Sequence, residues 1–511
     1  MRISAQFPFD LSVRMLNDVL SLQMHASKTV LTRIFKRATA RNAIERATLN
    51  RTILRKLRGE SYAGWDDIVR LETLCNDYFN SVDATDATEK LHTDAIGQLS
   101  FQDSYFKSLN DVPFALFAMC LFKVYAVPAM AIVMPLLAFI LPYIIIRYMY
   151  HIPMSFDRYY EMIKGMWLGK DQSWIQVFFF IFSLVQGIIQ PIQNAIHYNT
   201  TDKVICEIGD AILQVRAHAS SLRDLLAAKA VPYHISSVLH DLPDDPRRCF
   251  MTVYENPVIL KGLFESLGEL EILWKLANNS LFTEVAFVEP SADARPYLHI
   301  EGLQDLSIPE DIRVLSNIHL DSTSHHCIVT GPNGGGKSSA LRAIHQSVLL
   351  AQTFGVACVT SMTLRPFKWI SSGIGLHDSP GKKSMFQTEV NFAAGLLHRA
   401  GRIQGPGLIL YDELFHSTNP PDCVRTANIF MKKLWAKKSV ASFLSTHVFE
   451  LVDTAPPEIQ RLCVSATYDA ATKQLVFSYQ LAKGVCKVSS VYSILKREGL
   501  LQQADAAERV R

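Results

Sequence analysis

From Val124 to Ile146 the chain runs for 23 residues, VYAVPAMAIVMPLLAFILPYIII, without a single charge, between Lys123 and Arg147. A bilayer core of ~30 Å is crossed by about 20 helical residues. Within it, only helices and closed barrels satisfy every backbone N–H and C=O. The run is therefore expected to be a membrane-spanning helix. A second uncharged run, Trp174–Ile192 (WIQVFFFIFSLVQGIIQPI), follows after 27 mostly polar residues, so the two read as a transmembrane hairpin over 112–192. Pro128, Pro135, Pro142 and Pro191 interrupt the runs, which membrane helices tolerate better than soluble ones do. Tyr143, Tyr148, Tyr150 and Trp174 suit an interfacial belt. The alternative is a pair of buried helices in a large soluble core. Val112–Phe122 is also apolar, and its insertion would change the crossing number. Two crossings leave both termini on one side.

The rest of the 511-residue chain is ordinary globular material. Only 19% of residues are charged and 49% are hydrophobic, with mean hydropathy +0.12, which excludes disordered and fibrous classes. A net charge of +3 announces no global affinity for nucleic acid. Nine cysteines without a C-x-x-C exclude the common zinc ribbons and point to a reducing compartment. The N-terminal MRISAQFPFDLSVRML lacks the apolar core of a signal peptide. Residues 1–111 read as helical. Between Lys28 and Arg58 lie ten Lys/Arg against one acid, Glu45. That segment reads either as a solvated basic helix near anionic lipid or as a phosphate-binding surface. Residues 198–285 are again helical, with Ile205, Ile208, Ile212, Val215, Leu222, Leu225 and Leu226 on one face and a loop at Asp241–Arg248. From about Arg295 short apolar strands and Gly turns take over.

Three strand ends carry the chemistry. HCIVT (326–330) is a short buried strand, followed by Gly331-Pro332-Asn333-Gly334-Gly335-Gly336-Lys337-Ser338-Ser339 and a helix. This matches G-x-x-x-x-G-K-[ST] in its required strand–loop–helix setting. Glycines let backbone N–H groups converge on phosphate oxygens, and the helix N-terminus adds partial positive charge. Lys337 would reach the β- and γ-phosphates, and the Ser338 hydroxyl would ligate Mg²⁺. In GLILYDE, an apolar strand at Leu408–Tyr411 ends in Asp412, which would hold Mg²⁺ through water, and Glu413, which would polarise the attacking water. SVASFLSTH ends in His447, placed to hydrogen-bond a γ-phosphate.

Together these elements resemble the ATPase domain of the MutS family. GPNGGGKSS is similar to the family's G-P-N-M-G-G-K-S-T, DELFHSTNPPDCVRTA to its D-E-[LI]-G-R-G-T segment, and STHVFEL to A-T-H-[YF]-x-E-L. KKSMFQTEV (Lys382–Val390) resembles the signature loop G-x-S-x-F-x-x-E-[ML], carrying Ser384, Phe386 and Glu389 onto its Ser, Phe and Glu. The resemblance implies that Ser384 acts in trans, completing the nucleotide site of a partner subunit. His416 and Phe415 depart from the motif's Arg and its preceding Gly, and Lys382 from the signature Gly. The mismatch-reading domain has no visible counterpart. Phe282-Thr283-Glu284 fits its Phe-x-Glu letters only by chance.

The expected fold is an α/β phosphate-binding-loop (ABC-type) ATPase domain at the C-terminus, preceded by a helical lever-like region and an α-helical transmembrane segment. The expected divisions are 1–111, 112–192, 193–290 and 291–511. The implied protein is a membrane-anchored, homodimeric MutS-like ATPase with its ATPase domain in the cytosol. It would use ATP and Mg²⁺, contact membrane lipid, and couple hydrolysis to mismatched or branched DNA, related to mismatch repair without being a standard mismatch sensor. The alternative is an ABC-type ATPase driving transport or membrane remodelling. Such an exporter would show L-S-G-G-Q where this chain has KKSMFQTEV.

Overall fold

The computed structural model describes residues 6–40, 42–81, 96–101, 103, 105–168, 174–235, 242–288, 295–321, 323–375, 384–468, 475–490 and 494–495. Contacts group the chain into two units. One contains residues 1–62, 225–233 and 265–511, the other residues 63–224 and 234–264. Residues 1–62 thus fall in the same unit as the glycine-rich loop.

The first unit is built on a six-stranded sheet. Its strands are β5 (His326–Thr330), β8 (Trp369–Gly373), β9 (Gly407–Tyr411), β10 (Val440–Ser445), β11 (Gln460–Tyr468) and β12 (Leu475–Lys483), in the order β12-β11-β5-β10-β9-β8. All neighbours pair in parallel except β12, which closes one edge antiparallel to β11. Every residue of β5, β9 and β10 is buried, as continuous apolar runs in a sheet covered on both faces should be. A smaller sheet runs β2 (Ala286–Phe287), β7 (Ser361–Leu364), β3 (Leu298–Leu303), β4 (Ser316–Leu320) in spatial order, and β1 (Thr283–Glu284) pairs with β6 (Val356–Ala357).

Helix α10 (Lys337–Phe354) follows β5 and is buried without interruption from Ala343 to Phe354. A helix buried all round must have neighbours on every side. The N-terminal residues supply one of them. α3 (Ala43–Leu57) lies against α10, where Asn50 Nδ2 donates to Thr353 O at 2.8 Å. The buried Gln352 amide bridges Ala38 O at 2.9 Å and Phe367 O at 3.0 Å. Gly355 ends α10 at φ +71°, and a Cβ there would meet Ala47 O at 2.6 Å, so glycine answers both the left-handed backbone and the close approach. At the start of α2 (His25–Lys36), the buried Glu271 carboxylate accepts the Gln23 and Met24 amides at 2.9 and 3.2 Å and the Ser27 hydroxyl at 2.5 Å. An anion at a helix N-terminus satisfies otherwise orphaned donors.

The basic segment 28–58 is therefore not a uniformly solvated face. Arg33 pairs with Glu265 at 2.7 Å, Arg51 donates to Val285 O at 2.8 Å, and Arg46 to Arg37 O at 2.7 Å. Arg55 pairs with Glu284, and Lys56 donates to Ala230 O. Arg41 lies outside the described residues. Phe282 is buried and Thr283–Glu284 is a strand, which gives that Phe-x-Glu sequence a packing role.

The second unit is helical. It comprises α4 (Trp65–Ser81), α5 (Pro113–Met149), α6 (Phe156–Leu168), most of α7 (Trp174–Ala228), α8 (Pro246–Glu255) and the start of α9 (Val258–Ala277). Its core gathers Ile68, Leu71, Cys75, Ile205, Ile208, Ile212, Val215, Leu222 and Phe250. Of the loop expected at Asp241–Arg248, Asp241 lies outside the described residues and Pro246–Arg248 is already helical. Asp245 caps α8, accepting the Arg248 amide at 3.0 Å, and Pro246 opens the helix, where its missing N–H costs nothing.

Among the described residues, α5 is the one helix long and apolar enough to cross a membrane, where the sequence reading expects two. Pro113–Phe122 is not a separate helix. Pro113 onward is continuous with the uncharged run, and 37 residues at ~1.5 Å each reach about 55 Å. Wide π turns at Phe122–Ala126 and Ile145–Met149 lie near Pro128 and Pro142. No side chain from Val127 to Ile144 is buried. The connector beyond α5 is not a plain loop, because α6 folds back on it. Tyr159 is buried with its hydroxyl donating to Phe139 O at 2.6 Å, and Tyr143 meets Phe156 edge-on at 5.3 Å. The second apolar run is the first third of the 55-residue α7.

Candidate functional site

In an open parallel sheet, ligands collect at the carboxyl ends of the strands. Here β9, β10 and β5 are neighbours, so the three motif-bearing strand ends stand side by side. β5 leads into Gly331, whose φ is +147°. A Cβ there would meet Val464 O of β11 at 2.8 Å, so the first glycine is set by a neighbouring strand as well as by the turn. Gly331 and Pro332 are buried, Asn333 and Gly334 exposed, and Gly336 caps α10. Ser338 and Ser339 follow in the first turn, half-buried. Lys337 is buried, its Nζ donating to Gly331 O and Pro332 O at 3.0 Å each. Desolvation lowers its pKa, while Asp412 and Glu413 pull the other way.

Asp412 and Glu413 follow β9. Glu413 has φ +51° and Phe415 +54°, left-handed backbone for side chains that rarely adopt it. The bend is held from β10, where Ser445 accepts the Glu413 amide on its Oγ at 2.8 Å and the Leu414 amide on its carbonyl at 3.0 Å. The same hydroxyl donates to Asp412 Oδ1 at 2.5 Å. Ser445 thus orients both carboxyl-bearing residues. It escapes a motif reading because a serine inside FLSTH has no distinctive spacing. His447 Nε2 stands 3.8 Å from Glu413 Oε1. Desolvation, then Lys337, lowers its pKa below the usual 6.5, against the opposing pull of Glu413 and Asp412, which favours the neutral imidazole at neutral pH. Lys337, Asp412, Glu413 and His447 therefore share one electrostatic neighbourhood.

A cavity of about 710 Å³ opens beside the glycine-rich loop. It is lined by Asn333, Gly334, Gly336, Lys337, Ser338, Ser339, Arg342, Glu413 and Tyr479, with Asp305, Pro309 and Arg313 from the β3–β4 connection. Arg342 binds buried Asp305 at 3.1 Å and donates to Ser339 Oγ at 2.9 Å, bracing the loop against that connection.

Ser384 is not among the described residues lining this cavity. It is exposed at the N-cap of α11 (Met385–Arg402), where its Oγ accepts the Gln387 amide at 3.3 Å. Lys382 lies outside the described residues. One turn into α11, Glu389 is buried and pairs with His416 Nδ1 at 2.8 Å while accepting the Ser417 hydroxyl. The Phe415 ring is buried beside Tyr411, Phe430 and Phe386. The two motif departures thus have visible roles. His416 ties the loop after Glu413 to α11, and Phe415 exchanges glycine's freedom for core packing.

Residues 327–505 match the family model described as MutS domain V. The match begins inside β5 and takes in the glycine-rich loop, Ser384, Asp412, Glu413 and His447. This stretch of the chain is similar to the ATPase domain of the MutS family.

Proposed function

We propose that the chain is a dimeric MutS-like ATPase held in a membrane by α5, with ATP hydrolysis at Gly331–Ser339 coupled to DNA binding. The observation that carries it is the convergence of Lys337, Asp412, Glu413 and His447 at the ends of three adjacent strands. Incoming phosphate offers Lys337 a charged acceptor in place of the two loop carbonyls it now holds. Loop amides and the α10 N-terminus receive the remaining phosphate oxygens. Glu413 polarises the attacking water, and neutral His447 donates to the γ-phosphate. The Ser338 hydroxyl and the Asp412 carboxylate are hard oxygen donors of the kind Mg²⁺ takes. They would hold that ion, which when bound neutralises charge on the β- and γ-oxygens. Ser384, exposed and away from its own chain's cavity, is free to complete the site of a second protomer.

The test is Mg²⁺-dependent ATP hydrolysis by detergent-solubilised protein with no DNA and with plain, mismatched and branched duplexes. Lys337→Ala should remove turnover. Glu413→Gln should retain ATP binding and slow hydrolysis by roughly 10²-fold. Absence of hydrolysis in wild type would overturn the reading, and unchanged turnover with tight-binding controls but no DNA affinity would remove DNA from it. The second reading, transport or membrane remodelling, is favoured by the exposed apolar surface of α5 and by the internal engagement of half the 28–58 cations. It predicts stimulation by lipid instead of DNA.

A further inference from the structure

The outward face of the smaller sheet carries a cluster of chemistry remote in kind from nucleotide binding. In the β3–β4 ladder His299 stands directly across from His319. Their neighbours Leu298, Ile300, Ile318 and Leu320 are buried, so alternation turns both imidazoles outward. The two Nδ1 atoms are 3.1 Å apart and the ring centroids 5.1 Å apart. Each ring's other nitrogen faces a carboxylate from its own strand or strand end. His299 Nε2 is 3.5 Å from Glu301 Oε1, and His319 Nε2 is 3.6 Å from Asp321 Oδ2.

Those carboxylates are themselves held. Glu301 Oε2 accepts the Ser361 hydroxyl at 2.8 Å. Asp321 Oδ1 accepts the Thr323 hydroxyl at 2.6 Å and the Thr323 and Ser324 amides at 2.8 and 2.9 Å. In the tautomer with the ring proton on the carboxylate-facing Nε2, Nδ1 is the nitrogen open to a metal ion. The 3.1 Å between the two Nδ1 atoms suits either a hydrogen bond, with the donor set by the tautomer, or two nitrogens converging on one cation. Zn²⁺ binds imidazole nitrogen at ~2.0–2.1 Å, and tetrahedral angles then separate two ligands by about 3.3 Å. The observed pair needs a shift of about 0.2 Å to match.

We propose that His299 and His319 form a surface site for a tetrahedral divalent transition-metal ion, Zn²⁺ being the ion that fits, with Glu301 and Asp321 as orienting carboxylates. Among the described residues no three His, Cys, Asp or Glu side chains are arranged to hold a metal ion together, so the proposed ion would take two waters to complete its tetrahedron. An ion here would cross-link β3 to β4 on either side of the connection that supplies Asp305, Pro309 and Arg313 to the cavity.

The test is Zn²⁺ titration of full-length, chelator-stripped protein in detergent against a chromophoric competitor, with Co²⁺ absorption reporting geometry. Wild type should bind one equivalent more than His299→Ala or His319→Ala, with a tetrahedral Co²⁺ spectrum that both variants lose. Glu301→Gln keeps both imidazoles and should weaken that equivalent by ~10–100-fold. Equal stoichiometry and affinity in wild type and both histidine variants would overturn the proposal, as would wild-type protein that takes up no Zn²⁺.

Discussion

Ser445→Ala tests whether one hidden hydroxyl organises the hydrolytic centre. Ser445 has no exposed surface, donates to Asp412 Oδ1 at 2.5 Å and accepts the Glu413 amide at 2.8 Å. Glu413 sits at φ +51°, a backbone conformation that costs ~1–3 kcal/mol for a non-glycine residue and persists only when neighbours hold it. Alanine removes one bond to a charged group, about 1.5–3 kcal/mol, and one between neutral groups, about 0.5–1.5 kcal/mol. The sum, about 2–4.5 kcal/mol, is lost in full only if nothing relaxes. If roughly half of it reappears as a mispositioned Glu413 in the transition state, kcat falls about 5–45-fold. The KM for ATP should move less than ~3-fold, because no bond joins Ser445 to Gly331–Ser339 and uniform binding is untouched. The assay is steady-state ATP hydrolysis over a range of Mg²⁺, with a thermal melt to confirm folding. A folded variant with kcat within ~2-fold of wild type, or with its whole loss in KM, would refute the reasoning.

Mixing Ser384→Ala with Lys337→Ala should restore about one composite site per heterodimer if Ser384 works in trans. No recovery in verified heterodimers would argue for a self-contained site. Gly355→Ala should destabilise the protein by at least ~1 kcal/mol in denaturant unfolding, since it adds left-handed strain to a clash with Ala47 O at 2.6 Å; an unchanged midpoint would deny that contact. Burial lowers the pKa of His345 from 6.5 to about 4. The unfolded chain therefore binds this proton first, and the stabilisation is complete above pH ~6.5 and lost as pH falls toward 4. His345→Gln should flatten that limb of the pH–stability curve, and an equally steep limb would assign it elsewhere. Carbonate washing should leave the protein in the membrane pellet if α5 spans the bilayer, whereas full extraction would favour a buried-helix reading of the apolar run.

The proposed nucleotide site can be read from the amino-acid order because its logic is local. Strand, glycine-rich turn, lysine and serine lie within 14 consecutive residues, and a strand ending in Asp-Glu carries its carboxylates to the sheet edge wherever that strand is placed. The apolar run of α5 was legible for the same reason, since absence of charge over 23 residues is a property of the segment alone. Its extension back to Pro113 was not. Val112–Phe122 and Val124–Ile146 are separated by one lysine, and only helix continuity decides whether that charge interrupts.

What the tertiary structure decided depends on contacts between residues hundreds of positions apart. Arg55 meets Glu284 of β1 and Asn50 meets Thr353 of α10, so a cation and an amide that look solvated in sequence tie α3 to distant segments. Composition counts charges without naming their partners, which is why ten cations suggested a surface for phosphate. Ser445 likewise acquires its role only when β10 settles beside β9 and sets its hydroxyl between Asp412 and Glu413. Phe415 and His416 look like damage to a motif until α11 brings Phe386 and Glu389 to them. Covalent neighbours fix a loop's chemistry. Which distant group satisfies a buried charge, or holds a strained backbone, is settled only when the whole chain has packed, because that choice minimises unsatisfied polar groups over all elements at once.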